Sequence, residues 1–135
     1  MNFPAATENK VNEKLDSIHR QFMIKYGTFL EELPEQKMAV HFLTGNEKVL
    51  EIGGNIGRNS LVIAHIVGDK NLVTLESDAT IAAQLTENRD KNGRTFHIEP
   101  SALSARKLIQ KDWNTKPSEV LENGYQWVNT ITWAN

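Results

Sequence analysis

The run Val49-Leu50-Glu51-Ile52-Gly53-Gly54-Asn55-Ile56-Gly57 places a carboxylate next to three glycines at the end of an apolar stretch. That order suits a nucleotide-like ligand. Val49, Leu50 and Ile52 form the apolar, partly β-branched segment expected of a strand in a parallel sheet. Gly53, Gly54 and Gly57 permit positive φ and let backbone N–H groups approach a ligand with no Cβ in the way. A helix starting near Gly57, with Ser60, Leu61, Val62, Ala64, Ile66 and Val67 in its body, turns its positive N-terminal end to the same place. Glu51 would oppose the phosphates of a dinucleotide there and attract a ligand carrying positive charge.

The spacing separates two ligand classes. With Gly53 as the first glycine of a G-x-G-x-x-G fingerprint, Asn55 and Arg58 stand where the other two glycines belong, which argues against a nicotinamide-dependent oxidoreductase. The pattern that remains, acidic-x-Gly-x-x-x-Gly, resembles motif I of S-adenosylmethionine-dependent methyltransferases with the Rossmann-like fold. Asn71 to Glu76 reads as a second strand, ending in a carboxylate roughly 20 residues after the glycine turn, where a ribose-binding acid belongs. A carboxylate there accepts two hydroxyl hydrogen bonds at once. Ser77 or Asp78 can cap a helix containing Ile81, Ala82 and Leu85. A third strand is expected from Thr95 to Ile98, closed by Glu99-Pro100, because a residue before proline prefers extended backbone.

With these elements in place the chain is similar to the N-terminal half of an FkbM-type methyltransferase. The resemblance rests on VLEIGGNIGRNSLVIAHIVG, LVTLESD, ENRDKNG and FHIEPSALSAR, and covers about residues 47 to 133. It implies an α/β fold with a Rossmann-like, partly parallel sheet flanked by helices. It also implies S-adenosylmethionine as cofactor and O-methylation of a small molecule or sugar hydroxyl. Carried over position by position, Glu51 lies near the amino end of the methionine moiety and Gly53, Gly54, Asn55 and Gly57 line its backbone cradle. Glu76 takes the ribose hydroxyls, while Ser77, Asp78, Ser101 and Ala102 lie near the adenosine. Motif I more often carries Asp where this chain has Glu51, a change of one methylene at constant charge. FkbM-type chains continue past a segment like Val128 to Trp133 into a further helix and strand. Against that pattern the sequence reads as truncated, with the cofactor half present and the acceptor half missing, and no catalytic residue carries over. A non-catalytic remnant that folds or associates without turnover is the alternative.

Composition bounds the rest. The 135 residues are 39% hydrophobic and 24% charged, enough for one core and one domain. A net charge of −2 with scattered basic residues gives no nucleic-acid signal. Without cysteine there are no disulfides or thiolate sites, which is compatible with the cytoplasm, the expected location. No apolar run approaches the roughly 20 residues needed to span a bilayer. The start MNFPAATENK lacks the basic and apolar parts of a secretory signal.

The elements that must hold the glycine turn are read from periodicity. Residues 1–46 are expected to be helices covering the sheet. Val11, Leu15, Ile18 and Phe22 share one face, and the stripe continues loosely through Tyr26, Phe29, Leu30 and Leu33. A second helix opens at Pro34, carries Met38, Phe42 and Leu43 as its apolar face, and ends at Gly45-Asn46. Within the cofactor-binding half, residues 47–135, Arg106 to Gln110 and Gln126 to Ile131 read as short strands, an antiparallel pair or an edge strand, around an Asn114 to Gly124 loop. Trp113, Trp127 and Trp133 are expected in core and hairpin packing. His19, His41, His65 and His97 fit no metal-ligand pattern and no metal is expected. His97 as an acid or base is a lesser reading than a packed histidine. Glu87 to Lys91 reads as a solvated helix end. An open sheet edge invites pairing with another chain, so a homo-oligomer covering it is the expected partner besides the acceptor.

Overall fold

The computed structural model describes residues 3–132. Helix α1 (Ala5–His19) follows Pro4, whose fixed φ suits a helix start, and buries Val11, Leu15 and Ile18 as their spacing predicts. The chain then leaves the helix: residues 20–32 are irregular, so Phe22, Tyr26 and Phe29 do not continue a helical stripe. Helix α2 (Leu33–Phe42) starts with Pro34 in its first turn. Its core-facing residues are Gln36 and Val40, whereas Met38 and Phe42 are exposed, so of the apolar face expected from the sequence only Leu43 packs against the core. The reason is that α2 turns Val40 onto the Val11, Leu15, Ile18 and Val62 cluster, and its polar Gln36 finds partners there.

Glu47 closes the turn after α2. Its carboxylate accepts the backbone N–H groups of Thr44 and Gly45 and the Thr44 hydroxyl, which lowers its pKa to about 2, the Thr44 N–H contributing most. Strand β1 (Val49–Ile52) follows, then α3 (Arg58–Val67), which runs between Gly57 and Gly68. Strand β2 (Leu72–Leu75) leads to α4 (Ala79–Lys91), and β3 (His97–Glu99) ends the first sheet. Asp78 caps α4, its carboxylate accepting the Ile81 N–H at 3.0 Å. The three strands are parallel in the order β1-β2-β3, with Val49 opposite Leu72 and Val73 opposite His97.

Both connecting helices lie on one face of this sheet. Leu61, Ala64 and Val67 of α3, Leu85 of α4, Leu72 and Phe96 make one buried cluster, with Val49 and Ile98 packed against it. The opposite face keeps Leu50, Ile52 and Val73 in contact with solvent, Ile52 at 66% exposure. Among the described residues β1 and β3 each have a single hydrogen-bonded neighbour, so this sheet is open at both edges.

Past β3 the chain forms β4 (Ala102–Leu103), β5 (Leu108–Lys111), β6 (Asn114–Pro117), β7 (Gln126–Val128) and β8 (Thr130–Ile131). β5 and β7 pair antiparallel as expected. Asn114 to Pro117 is not loop but a strand on the other side of β5, turned back at Asp112, which adopts a φ of 52°. β4 and β8 pair in parallel, and Leu103 and Ile131 lie beside Leu75 at the end of the open face. Trp113 is 83% exposed and Trp127 is 47% exposed, so neither is core; Lys107 lies over the Trp127 ring instead. Trp133 falls outside the described residues. The architecture is therefore mixed α/β, with four helices and small, partly parallel sheets among the described residues.

Candidate functional site

The glycine loop crosses the C-terminal ends of β1 and β2. The N–H groups of Gly53 and Gly54 both donate to the Leu75 carbonyl, at 2.9 and 2.8 Å. These two donors thus hold the loop down on β2 and do not form the backbone cradle expected of them. A Cβ on Gly54 would overlap the Thr74 methyl, and one on Gly57, which has a φ of 101°, would come within 2.6 Å of Leu85. Those two glycines allow loop, strand and α4 to close together. Gly53 differs: beyond its absent Cβ there is nothing within 4 Å. Open space at the loop is therefore on the Gly53 side.

A cavity of about 250 Å³ lies there, lined by Glu32, Glu35, Glu51, Gly53, Gly54 and Asn59. Glu51, at the end of β1, accepts hydrogen bonds from the Ser60 and Thr74 hydroxyls, the latter at 3.0 Å. Burial raises its pKa above the ordinary carboxylate value. Its hydrogen bonds from Ser60, Thr74 and Asn59 oppose that rise, and the Glu32 charge adds to it. Asn59, in the first turn of α3, has its Oδ1 buried without a hydrogen-bond partner. The polar side chains on the wall thus present acceptors, which calls for a ligand that donates or carries positive charge.

Glu76 sits just past β2, and its two oxygens accept the backbone N–H groups of Asn55 at 2.9 Å and Asp78 at 3.0 Å. One carboxylate so links the glycine loop, with Asn55 at a φ of 52°, to the start of α4. Each oxygen keeps a second lone pair for a hydroxyl. The Glu76 N–H donates to the Glu99 carbonyl, bringing the end of β3 alongside. Ser101 is buried and its hydroxyl donates to the Glu99 carboxylate at 2.8 Å. Ser77 is half-buried between Glu76 and the cap Asp78, and Ala102 is held in β4. Glu51, Gly53, Gly54, Asn55, Gly57, Glu76 and Asp78 are thus linked around one loop, while Ser101 and Ala102 join through β3. His97 is exposed, 3.5 Å from Glu99 and on the opposite sheet face from Glu51. Among the described residues no group of three or more His, Cys, Asp or Glu side chains is placed to hold a metal ion.

Sequence reasoning missed the roof of this site. Residues 20–32 pass over the glycine loop and are pinned by four polar side chains. Asn88 accepts the N–H groups of Lys25 and Tyr26 and donates to the carbonyls of Tyr26 and Ile56. Asn92, one turn on, exchanges two hydrogen bonds with the Met23 backbone. Arg58 is buried, donates to the Thr28 carbonyl at 2.6 Å and pairs with Glu31 at 2.8 Å and Glu32 at 3.4 Å. Gln36, fully buried, donates to the carbonyls of Phe29 and Glu31, while its own carbonyl meets the His19 ring at 2.6 Å. The segment Glu87 to Lys91 is consequently not a uniformly solvated helix end, since Asn88 is its buried member. The available signals were Arg58 in place of a glycine and the acidic group Glu31, Glu32 and Glu35. Nothing local placed the two together.

No family model matches the chain, and neither the curated proteins nor the solved structures contain a match to it. No helix among the described residues is long and apolar enough to cross a membrane.

Proposed function

We propose that this chain provides the cofactor-binding region of a Rossmann-like, S-adenosylmethionine-dependent methyltransferase of FkbM type, acting on a hydroxyl of a small molecule or sugar. The observation that carries the reading is the cavity where Glu32, Glu35 and Glu51 face the open side of Gly53. A wall of carboxylates repels a pyrophosphate and attracts a ligand whose charges include an ammonium and a sulfonium. Two parallel crossovers on one face, and a strand-to-helix glycine turn, agree with a nucleoside site at the strand ends.

The residues present fit the cofactor. Glu51 and the unpartnered Asn59 Oδ1 would take the ammonium, and Glu76 the ribose hydroxyls. Bound S-adenosylmethionine supplies a methyl group on a positive sulfur, which an acceptor oxygen displaces. The contribution of this chain would be to bind and orient that group, with Glu32 the one member of the 20–32 segment on the cavity wall. Burial, the largest influence, raises the Glu51 pKa; the Ser60 and Thr74 hydroxyls oppose that rise, and a bound ammonium would favour the ionised carboxylate. No side chain of the chain is assigned as acid or base.

Thermal denaturation of the 135-residue chain with S-adenosylhomocysteine, NADH as comparator, tests the reading. A ligand at about 100 times its Kd stabilises the native state by roughly 2.7 kcal/mol, a clear rise in Tm. The rise is expected with S-adenosylhomocysteine alone and is lost in Glu76→Ala. A rise with NADH alone would restore the oxidoreductase reading despite the glycine spacing. A folded sample indifferent to both would make the chain a remnant without cofactor.

A further inference from the structure

The roof does more than cover the loop, because it carries Glu32 into the cavity. Glu32 adopts a φ of 57°, in the left-handed region that costs a non-glycine residue energy. It is held there by Asn55 Nδ2 at 3.2 Å on one oxygen and by Arg58 at 3.4 Å on the other. Asn55 in turn gives its backbone N–H to Glu76. Glu32 thus joins the wall that Glu51 occupies and is one residue removed from Glu76. In S-adenosylmethionine the sulfonium stands between the amino-acid end and the ribose. Arg58 is shared between Glu31 at 2.8 Å and Glu32 at 3.4 Å, so one cation faces two carboxylates and the trio keeps net negative charge.

We propose that Glu32 is a specificity-determining residue that makes the site sense the charge on sulfur, favouring S-adenosylmethionine over S-adenosylhomocysteine. The inference rests on the methyltransferase reading. Transfer breaks the sulfur–methyl bond, leaves its electron pair on sulfur, forms the oxygen–methyl bond and releases the acceptor proton to solvent. The two nucleosides therefore share ammonium, ribose and adenine and differ in the methyl group and one positive charge at sulfur. With the sulfur over this wall, the Glu32 carboxylate would bind substrate better than product, and the product would leave once the charge is gone.

The test is calorimetric titration of each nucleoside into the full chain, with no turnover required. In Glu32→Gln, whose single amide oxygen keeps the bond from Asn55 or from Arg58 but not both, S-adenosylmethionine is expected to bind about five- to tenfold more weakly. S-adenosylhomocysteine is expected to change by less than about twofold. Glu87→Gln, which removes a carboxylate paired with Lys25 and outside the cavity lining, should preserve the wild-type ratio. Raising the ionic strength should shrink the wild-type ratio in the same direction, a measurement independent of how any variant folds. Equal weakening of both ligands by Glu32→Gln, or the same change of ratio in Glu87→Gln, would overturn the role of Glu32 and leave the methyltransferase reading standing. Failure of the folded wild type to bind either nucleoside would overturn that reading, and the inference with it.

Discussion

Residues 20–32 and residues 102–132 both lack helix, and they keep their shape by different means. In the first, backbone N–H and C=O groups have no strand to pair with, so Gln36, Arg58, Asn88 and Asn92 reach in and serve them. Gln36 and Asn88 are fully buried in doing so. In the second, β5 lies between β6 and β7 and the ladders satisfy the backbone. Apart from the buried Gln110, which donates to the Asp112 carbonyl at 2.9 Å, its side-chain bonds are surface ones such as Lys116 to Glu122 at 2.8 Å and Asn114 to Tyr125 at 3.1 Å. Of that meander only Ile109 and Gln110 are buried. Irregular backbone over a site depends on individual side chains, whereas a meander spreads its stability over many weak pairs.

The difference fixes where substitutions act. Gly54→Val should have the largest effect, because the loop beneath the roof has no room for a Cβ against Thr74 and Leu85. Overpacking of this kind costs about 3 kcal/mol or more, a fall in Tm of roughly 10 °C, measurable by calorimetry. A near-normal Tm would mean that β2 and α4 can separate without loss, and the close approach would carry no weight. Asn88→Ala comes next. It strands two N–H groups and two carbonyls, at about 2–4 kcal/mol, and hydrogen exchange should quicken across residues 23–32 ahead of the meander. Equal exchange in both regions would show that the roof and the meander open together. Trp113→Ser is the smallest. An indole so exposed should change stability by less than about 0.5 kcal/mol in urea denaturation. A larger loss would mean that the meander shelters Trp113 after all.

Much of the first sheet was legible in the residues. Val49 to Ile52, the helix beyond Gly57 and the strand ending at Leu75 lie close to where the apolar runs and glycines placed them. Asp78 caps its helix as its side chain and position suggested. The face of α2 was misread because Met38 and Phe42 obey the helical period as well as Val40 does, and only packing chooses between them. The tryptophans were misread for a related reason: an indole's area favours burial only where enough structure surrounds it, and the meander is too thin.

The sequence by itself determined the strand-glycine-helix unit, the carboxylate at its start and the carboxylate one strand on, since periodicity, capping and turn chemistry act over a few residues. Only the tertiary structure decided that Gly53 opens on a cavity while Gly54 and Gly57 close a packing seam. It alone brought Glu32 to that cavity, through an arginine 26 residues away and an asparagine 23 residues away. Contacts at such separations leave no local pattern, because they depend on the path of the whole chain and on which buried polar groups must find partners where it crosses itself.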